Sequence, residues 1–227
     1  MKKRTLCLLL SFVLLLSATV MSTVAYLTDT ASVVNTFTVG DVDIKLDETV
    51  VDEDGQPILD ENGQPVREEK GNEYHLIPGM RYLKDPMISI EADSEPAYIR
   101  MMMTVHNADD VQAIIDAHGL TDFSDMIDGW DETVWLYEGF AYDETANTIT
   151  FEFRYFEVVG NDTDAAIALA ALFNTLVVPG EATNEELQNL QEGGFKMVLT
   201  GHAIQAAGFE NADAAWKAFG ETVTLSA

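Results

Sequence analysis

Alternating apolar and polar residues predict several β-strands along the chain. The clearest run covers residues 97–105, where Ile99, Met101, Met103 and Val105 fall on one face of an extended strand. Successive side chains of a strand point to opposite faces, so this period indicates a strand with one buried side. The run therefore favours core packing of Met101 and Met103 over soft-metal binding by the three consecutive methionines.

The same period predicts further strands between turn-forming residues. Their predicted extents are residues 35–46, 74–77, 87–90, 130–137, 148–159, 175–178 and 195–206, with 222–225 as a last strand or tail. Within residues 35–46 the alternation slips by one position at Gly40 and Asp41, which predicts a β-bulge there.

Four short helices are predicted between the strands. Their expected extents are residues 108–118, 164–174, 184–191 and 212–219. Asn107 and Asn211 stand where the first and the fourth need an N-cap, and Thr183 with Glu186 forms a capping-box signature for the third. The second rests on composition alone, because its residues are mostly Ala and Leu, which have high helix propensity.

Many strands with few short helices indicate a mainly β protein. We expect a jelly-roll-like β-sandwich with short helical insertions, formed by residues 26–227 as one domain. Residues 49–72 are expected to be an acidic, turn-rich insertion, because DEDGQPIL at 52–59 is echoed by DENGQPVR at 60–67. The Asp-Gly and Asn-Gly pairs of this repeat predict two successive tight turns.

The N-terminus has the layout of a secretory signal peptide, which would form a helix ahead of the domain. Three basic residues at positions 2–4 precede an apolar run from residue 6 to 16, and small residues follow. Thr23 and Ala25 suit the −3 and −1 positions of a cleavage site, so cleavage is expected between Ala25 and Tyr26. The alternative is an uncleaved anchor, since residues 5–25 are about long enough to span a bilayer.

Composition narrows the class of protein. The chain has 227 residues, a formal charge of −27, 47% hydrophobic residues and one cysteine, which lies in the signal segment. Its hydrophobic content argues against intrinsic disorder, and removal of residues 1–25 would leave no cysteine for disulfides. The basic residues are few and scattered, which argues against binding of nucleic acid. The same charge disfavours docking on anionic lipids, so membrane contact is expected only through the signal peptide before cleavage.

Catalytic chemistry is not indicated by any motif. The sequence has no His-Glu-x-x-His zinc signature, no Gly-x-Ser-x-Gly and no phosphate-binding loop. His75, His106 and His202 fall on or beside predicted strands, so the fold could bring two of them together, but surface or strand-edge positions are favoured. We therefore expect no catalytic residues and no tightly bound cofactor.

The acidic turns are the one candidate for a metal site. Asp52, Asp54, Asp60 and Asn62 could bind Ca²⁺ weakly, because hard cations prefer several oxygen ligands. They lack the twelve-residue frame and closing Glu of an EF-hand. Solvated acidic turns are the favoured interpretation.

Several short motifs, in order, resemble the TasA/camelysin family of exported Gram-positive proteins. The junction VAYLTDT at residues 24–30 and NTFTVGDVDI at 35–44 look like a SipW-dependent type of signal peptide and its first mature strand. LIPG at 76–79, KDP at 84–86 and AYIRM at 97–101 are similar to the turn and strand that follow in that family. PGE at 179–181 and FKMVLTGHAIQA at 195–206 resemble its closing half.

This resemblance implies a secreted structural protein of the cell surface or biofilm extracellular matrix, processed by a SipW-type signal peptidase. It implies self-association into fibres, or association with related matrix proteins. The expected joint is the N-terminal segment that cleavage exposes, which could add as a strand to the edge of a neighbouring copy. The candidate assembly strand contains Val33, Val34, Phe37 and Val39, although the same segment could pair within its own domain. The alternatives are a camelysin-like cell-surface metalloprotease, for which no metal-ligand motif is present, and a non-catalytic adhesion module.

Overall fold

The computed structural model describes residues 28–32, 36–37, 42–52 and 55–220. The predicted signal helix, the cleavage site and the expected strand at 222–225 lie outside the described residues. In the described part the chain is mainly β, with short helices placed between strands. This confirms the predicted fold class at that level.

The strands in the described residues are β1 Thr28–Ser32, β2 Thr36–Phe37, β3 Ile44–Thr49, β4 Arg67–Glu68, β5 Arg81–Leu83, β6 Met87–Ile90, β7 Ser94–His106, β8 Ile127–Asp128, β9 Trp135–Asp143, β10 Thr148–Tyr155, β11 Val159–Asn161, β12 Ile167–Ala168, β13 Thr175–Val177 and β14 Met197–Gln205. They form three antiparallel sheets. The largest has the order β2-β1-β14-β7-β10-β9, and β11 also pairs with β7. A second sheet has the order β12-β6-β3-β4, and a third has the order β5-β13-β8.

Three α-helices in the described residues confirm three of the four predicted. They are α1 Ala108–His118, α2 Asn184–Glu192 and α3 Ala212–Phe219, and a short 3₁₀ helix covers Phe123–Met126. Thr183 and Glu186 form the expected capping box of α2, and the Asn211 side chain accepts the Ala214 N–H of α3. Asn107 precedes α1 in a left-handed conformation, and its side chain bonds the Leu190 carbonyl and Asp110 instead of capping the helix.

The prediction of a helix at residues 164–174 is wrong. This segment is extended, and its Ile167–Ala168 part pairs with β6 as β12. The Leu169 and Leu172 N–H groups donate to the Ile88 and Pro86 carbonyls, while Leu172 and Phe173 are fully buried. Pairing with the open edge of β6 and burial of these side chains override the local helix propensity.

Three predicted strands have different bounds, and one does not form. Residues 35–46 are divided between β2 and β3, which belong to different sheets, and the expected bulge lies outside the described residues. Residues 130–137 become a strand only at Trp135, because Asp131 first closes a turn with Thr133 and Val134. The strand predicted at 148–159 ends at Tyr155. Residues 74–77 form a loop, whose Ile77 N–H donates to the Tyr82 hydroxyl instead of to a neighbouring strand.

The main hydrophobic core joins the sheets. Ile99, Met101, Met103 and Val105 on one face of β7 are at most 1% exposed, as the alternation predicts, and they share a cluster with side chains of β3 and β6. The acidic insertion forms the two expected turns, with bridges between Val51 and Pro57 and between Leu59 and Pro65. Functional sites are therefore expected at the sheet edges and at one end of the core, and not within the tightly packed interior.

Candidate functional site

The N-terminal segment lies on the edge of β14 in the large sheet. Thr28–Ser32 pairs antiparallel with β14, from Thr28 opposite Ile204 to Ser32 opposite Thr200. On its other side, Thr30 pairs with Phe37 of β2. The segment therefore pairs within its own sheet in this structure, which is one of the two arrangements left open by the sequence. Ala25, Tyr26, Val33, Val34 and Val39 lie outside the described residues.

The acidic turns use their carboxylates as acceptors within the turn. The Asp60 carboxylate accepts the N–H groups of Asn62 and Gln64 at 2.8 and 2.9 Å, and these bonds lower the pKa of Asp60. Asp52 accepts the Gln56 N–H at 2.8 Å in the same way. Asp54 lies outside the described residues. No group of three His, Cys, Asp or Glu that could hold a metal is found in the part of the chain that the structure describes.

The three candidate histidines have different environments. His75 is exposed in a loop, and His106 is partly exposed at the end of β7. His202 pairs with Arg100, six residues along β7 from His106, so the backbones of the two histidines lie about 20 Å apart at 3.3 Å per residue. The expectation of a surface or strand-edge position is wrong for His202, which is 5% exposed.

A buried polar cluster around His202 was not predicted from the sequence. The Arg100 Nε donates to His202 Nδ1 at 3.0 Å, and its guanidinium approaches Glu152 at 3.3 Å. The same guanidinium lies 4.5 Å from the centre of the Trp216 ring of α3, a distance at which a cation attracts an aromatic face. Arg154 extends the cluster, because it bonds Glu152 at 2.7 Å and Asp213 of α3 at 2.6 Å. The cluster thus fastens α3 onto the face of the sheet opposite the main core.

The protein also has an aromatic cleft of about 630 Å³ at one end of the core. Its floor is the core-side face of β9 and β10, and α1 with the 3₁₀ helix forms its roof. The aromatic cleft is lined by Phe123, Trp130, Tyr137, Phe140, Phe151 and Phe153. Pairing of Tyr137 with Phe153 and of Phe140 with Phe151 brings the four strand aromatics onto one face. Within this lining, Phe140, Phe151 and Trp130 are only half-buried, so the cleft offers uncovered aromatic surface.

The rim of the aromatic cleft is acidic. The Tyr142 hydroxyl donates to Asp109 at 2.7 Å and so joins β9 to α1 across the rim. The Asp122 carboxylate accepts the Ser124 N–H at 2.7 Å and begins the 3₁₀ helix. Burial and the nearby charge of Asp122 raise the pKa of Tyr137 above its ordinary value.

The sequence predicted a strand through Phe151 and Phe153, but it did not predict the aromatic cleft. The available signal was a second aromatic run, Tyr137, Phe140 and Tyr142, separated from the first by a short turn. Two such runs in a hairpin place their rings side by side. The roof over them could not be foreseen, because it depends on where α1 packs.

Comparison with protein-family models, with curated proteins and with solved structures finds no match to this chain. In the described residues no helix combines the length and the apolar character needed to cross a bilayer.

Proposed function

We propose that this protein is a secreted structural subunit of the cell surface or biofilm extracellular matrix of a Gram-positive bacterium. In this proposal a SipW-type signal peptidase removes residues 1–25, and the mature chain is a jelly-roll β-sandwich that self-associates by strand addition. Support comes from the signal-peptide pattern, from the mainly β fold and from the motifs that resemble the TasA/camelysin family.

The observation that carries the proposal is the position of β1. This strand is terminal in the proposed mature chain, and its five residue pairs with β14 are all antiparallel. Exchange of the same strand between two copies would preserve the same backbone pairing, so the exchanged and unexchanged states are close in free energy. A strand that can pair in cis or in trans provides a joint for a fibre.

Charge determines when such a joint forms. Removal of residues 1–25 takes away Lys2, Lys3 and Arg4 and changes the formal charge from −27 to −30, so two mature copies repel each other at neutral pH. Divalent cations screen this repulsion, and at about pH 4 the carboxylates begin to bind protons. We expect fibres to form under these conditions and monomers to dominate at neutral pH in low salt.

The test compares the mature chain with a variant that lacks residues 26–35. The variant loses β1 and exposes the edge of β14, so it should stay folded by circular dichroism but form no fibres in electron micrographs. A synthetic peptide of residues 26–39 should bind the variant one to one, and a peptide of the same composition in scrambled order should not.

Normal fibres from the shortened protein would refute the strand joint. A mature protein that remains monomeric with Ca²⁺ and at about pH 4, where carboxylates are partly protonated, would refute self-association itself.

A further inference from the structure

The aromatic cleft has uncovered apolar surface. Tyr137 and Tyr142 are 44% and 48% exposed, whereas Met101 and Met103 on the core face of β7 are at most 1% exposed. A concave aromatic surface of this kind gains free energy when a ligand removes it from water. Its volume of about 630 Å³ suits a small organic molecule instead of a single ion.

The charged residues around the aromatic cleft determine whether a cationic or an anionic ligand is favoured. Asp109 and Asp122 are the charged residues of its lining, and no Lys, Arg or His is present among the described residues that line it. An anionic ligand would meet two carboxylates and no compensating base. A cationic ligand would be attracted by the carboxylates and by the negative faces of the rings.

A bare metal ion fits this lining poorly. Ca²⁺ takes six to eight oxygen ligands, whereas one oxygen of Asp109 already accepts the Tyr142 hydroxyl and one of Asp122 accepts the Ser124 N–H. The remaining lining is mostly apolar. A cation with a hydrocarbon body satisfies both the aromatic floor and the acidic rim.

We propose that the aromatic cleft binds an organic cation with an apolar body, of the aryl- or alkyl-ammonium class. The ammonium group lies against the aromatic rings, where it is attracted by the carboxylates of Asp109 and Asp122 near the two ends of α1, and the hydrocarbon part fills the space beneath α1. This site is separate from the β1–β14 joint, so ligand binding and assembly can succeed or fail independently.

Calorimetry with three probes of similar shape tests the sign of the charge. The probes are phenethyltrimethylammonium, its neutral carbon isostere 3,3-dimethylbutylbenzene and the anion 4-phenylbutanoate. We expect the cation to bind about tenfold more tightly than the neutral isostere and the anion not to bind, because a cation–π contact in a partly exposed cleft lies between the magnitudes of exposed and desolvated contacts. Equal affinity for the cation and the neutral isostere, or no binding of the cation, would overturn the proposal.

Two variants test the position of the cation. Phe151→Leu keeps an apolar side chain but removes a ring face, so it should weaken binding of the cation more than binding of the neutral isostere. The double variant Asp109→Asn with Asp122→Asn keeps an acceptor oxygen at each position but removes both charges. It should therefore weaken binding of the cation and leave binding of the neutral isostere unchanged.

The matched control is Asp93→Asn with Asp162→Asn, which removes two charges from a different surface. An equal loss of cation affinity in this control would show general attraction to an acidic protein and would overturn the assignment to the aromatic cleft. Circular dichroism of each variant verifies that the fold is retained.

Discussion

Replacement of His202 by Gln should change how the stability of this protein depends on pH. His202 is 5% exposed and its Nδ1 accepts a hydrogen bond from Arg100, so the folded state requires a neutral imidazole with its proton on Nε2. A protonated ring would place a second cation beside the buried Arg100 guanidinium. Burial, followed by the charge of Arg100, lowers the pKa of His202 to about 3 from 6.5.

The sign of the effect follows from this lowered pKa. As pH falls below 6.5, the unfolded chain binds a proton at His202 while the folded chain does not, so the free energy of unfolding decreases. The loss continues until pH reaches the folded-state value. Between about pH 6 and pH 4, His202 should account for a loss of about 2.5 kcal/mol as an upper limit.

Chemical denaturation at several pH values in this window measures the effect. The proteins compared are the wild type, His202→Gln and His75→Gln, and each is kept dilute to avoid association. Gln retains a hydrogen-bond acceptor for Arg100 but does not titrate, so its curve should fall less steeply with decreasing pH than that of the wild type. His75 is exposed in a loop and its replacement should leave the slope unchanged.

The carboxylates titrate in all three proteins, so their contributions to the pH dependence of the free energy of unfolding cancel in the comparison. Parallel curves for the wild type and His202→Gln would refute the assignment of a neutral, buried His202. A steeper curve for His202→Gln would contradict the sign of the argument as well.

Two further predictions concern stability and are measured by the same denaturation assay at neutral pH. Glu48→Ala leaves the buried Lys84 ammonium without the carboxylate that it contacts at 2.6 Å, so it should cost about 3–5 kcal/mol, and addition of Lys84→Met should restore part of this loss. No recovery in the double variant would argue against an unpaired charge as the cause. Thr183→Ala removes the capping box of α2 and should cost about 1 kcal/mol, whereas Thr183→Ser should be nearly neutral; equal losses in both would contradict a capping role.

Sequence reasoning succeeded where local chemistry decides the structure. The turns at Asp60, the capping box at Thr183 and the alternation through Met101 and Met103 each depend on neighbours within a few residues. The β-rich class follows from these local patterns. Such features can be predicted from one sequence.

The errors occurred where a distant partner decides the structure. The Ala- and Leu-rich residues 164–174 are extended because β6, far away in sequence, offers an unpaired edge. His202 is buried because α3 covers it and because Arg100 on β7 supplies a donor. The aromatic cleft likewise requires α1 to pack over β9 and β10, and no period within one segment contains that information.

The twin turns of the acidic insertion have a practical consequence for work in living cells. Gly63 lies at the tip of the second turn, its neighbours are exposed, and a side chain added there would meet no atom within 4 Å. The base of the insertion is fastened separately, because Arg67 bonds Asp47 at 2.7 Å and Asp85 at 2.6 Å. A short epitope tag inserted at Gly63 should therefore report where the protein is located in a cell culture, without touching the β1–β14 pairing or the aromatic cleft.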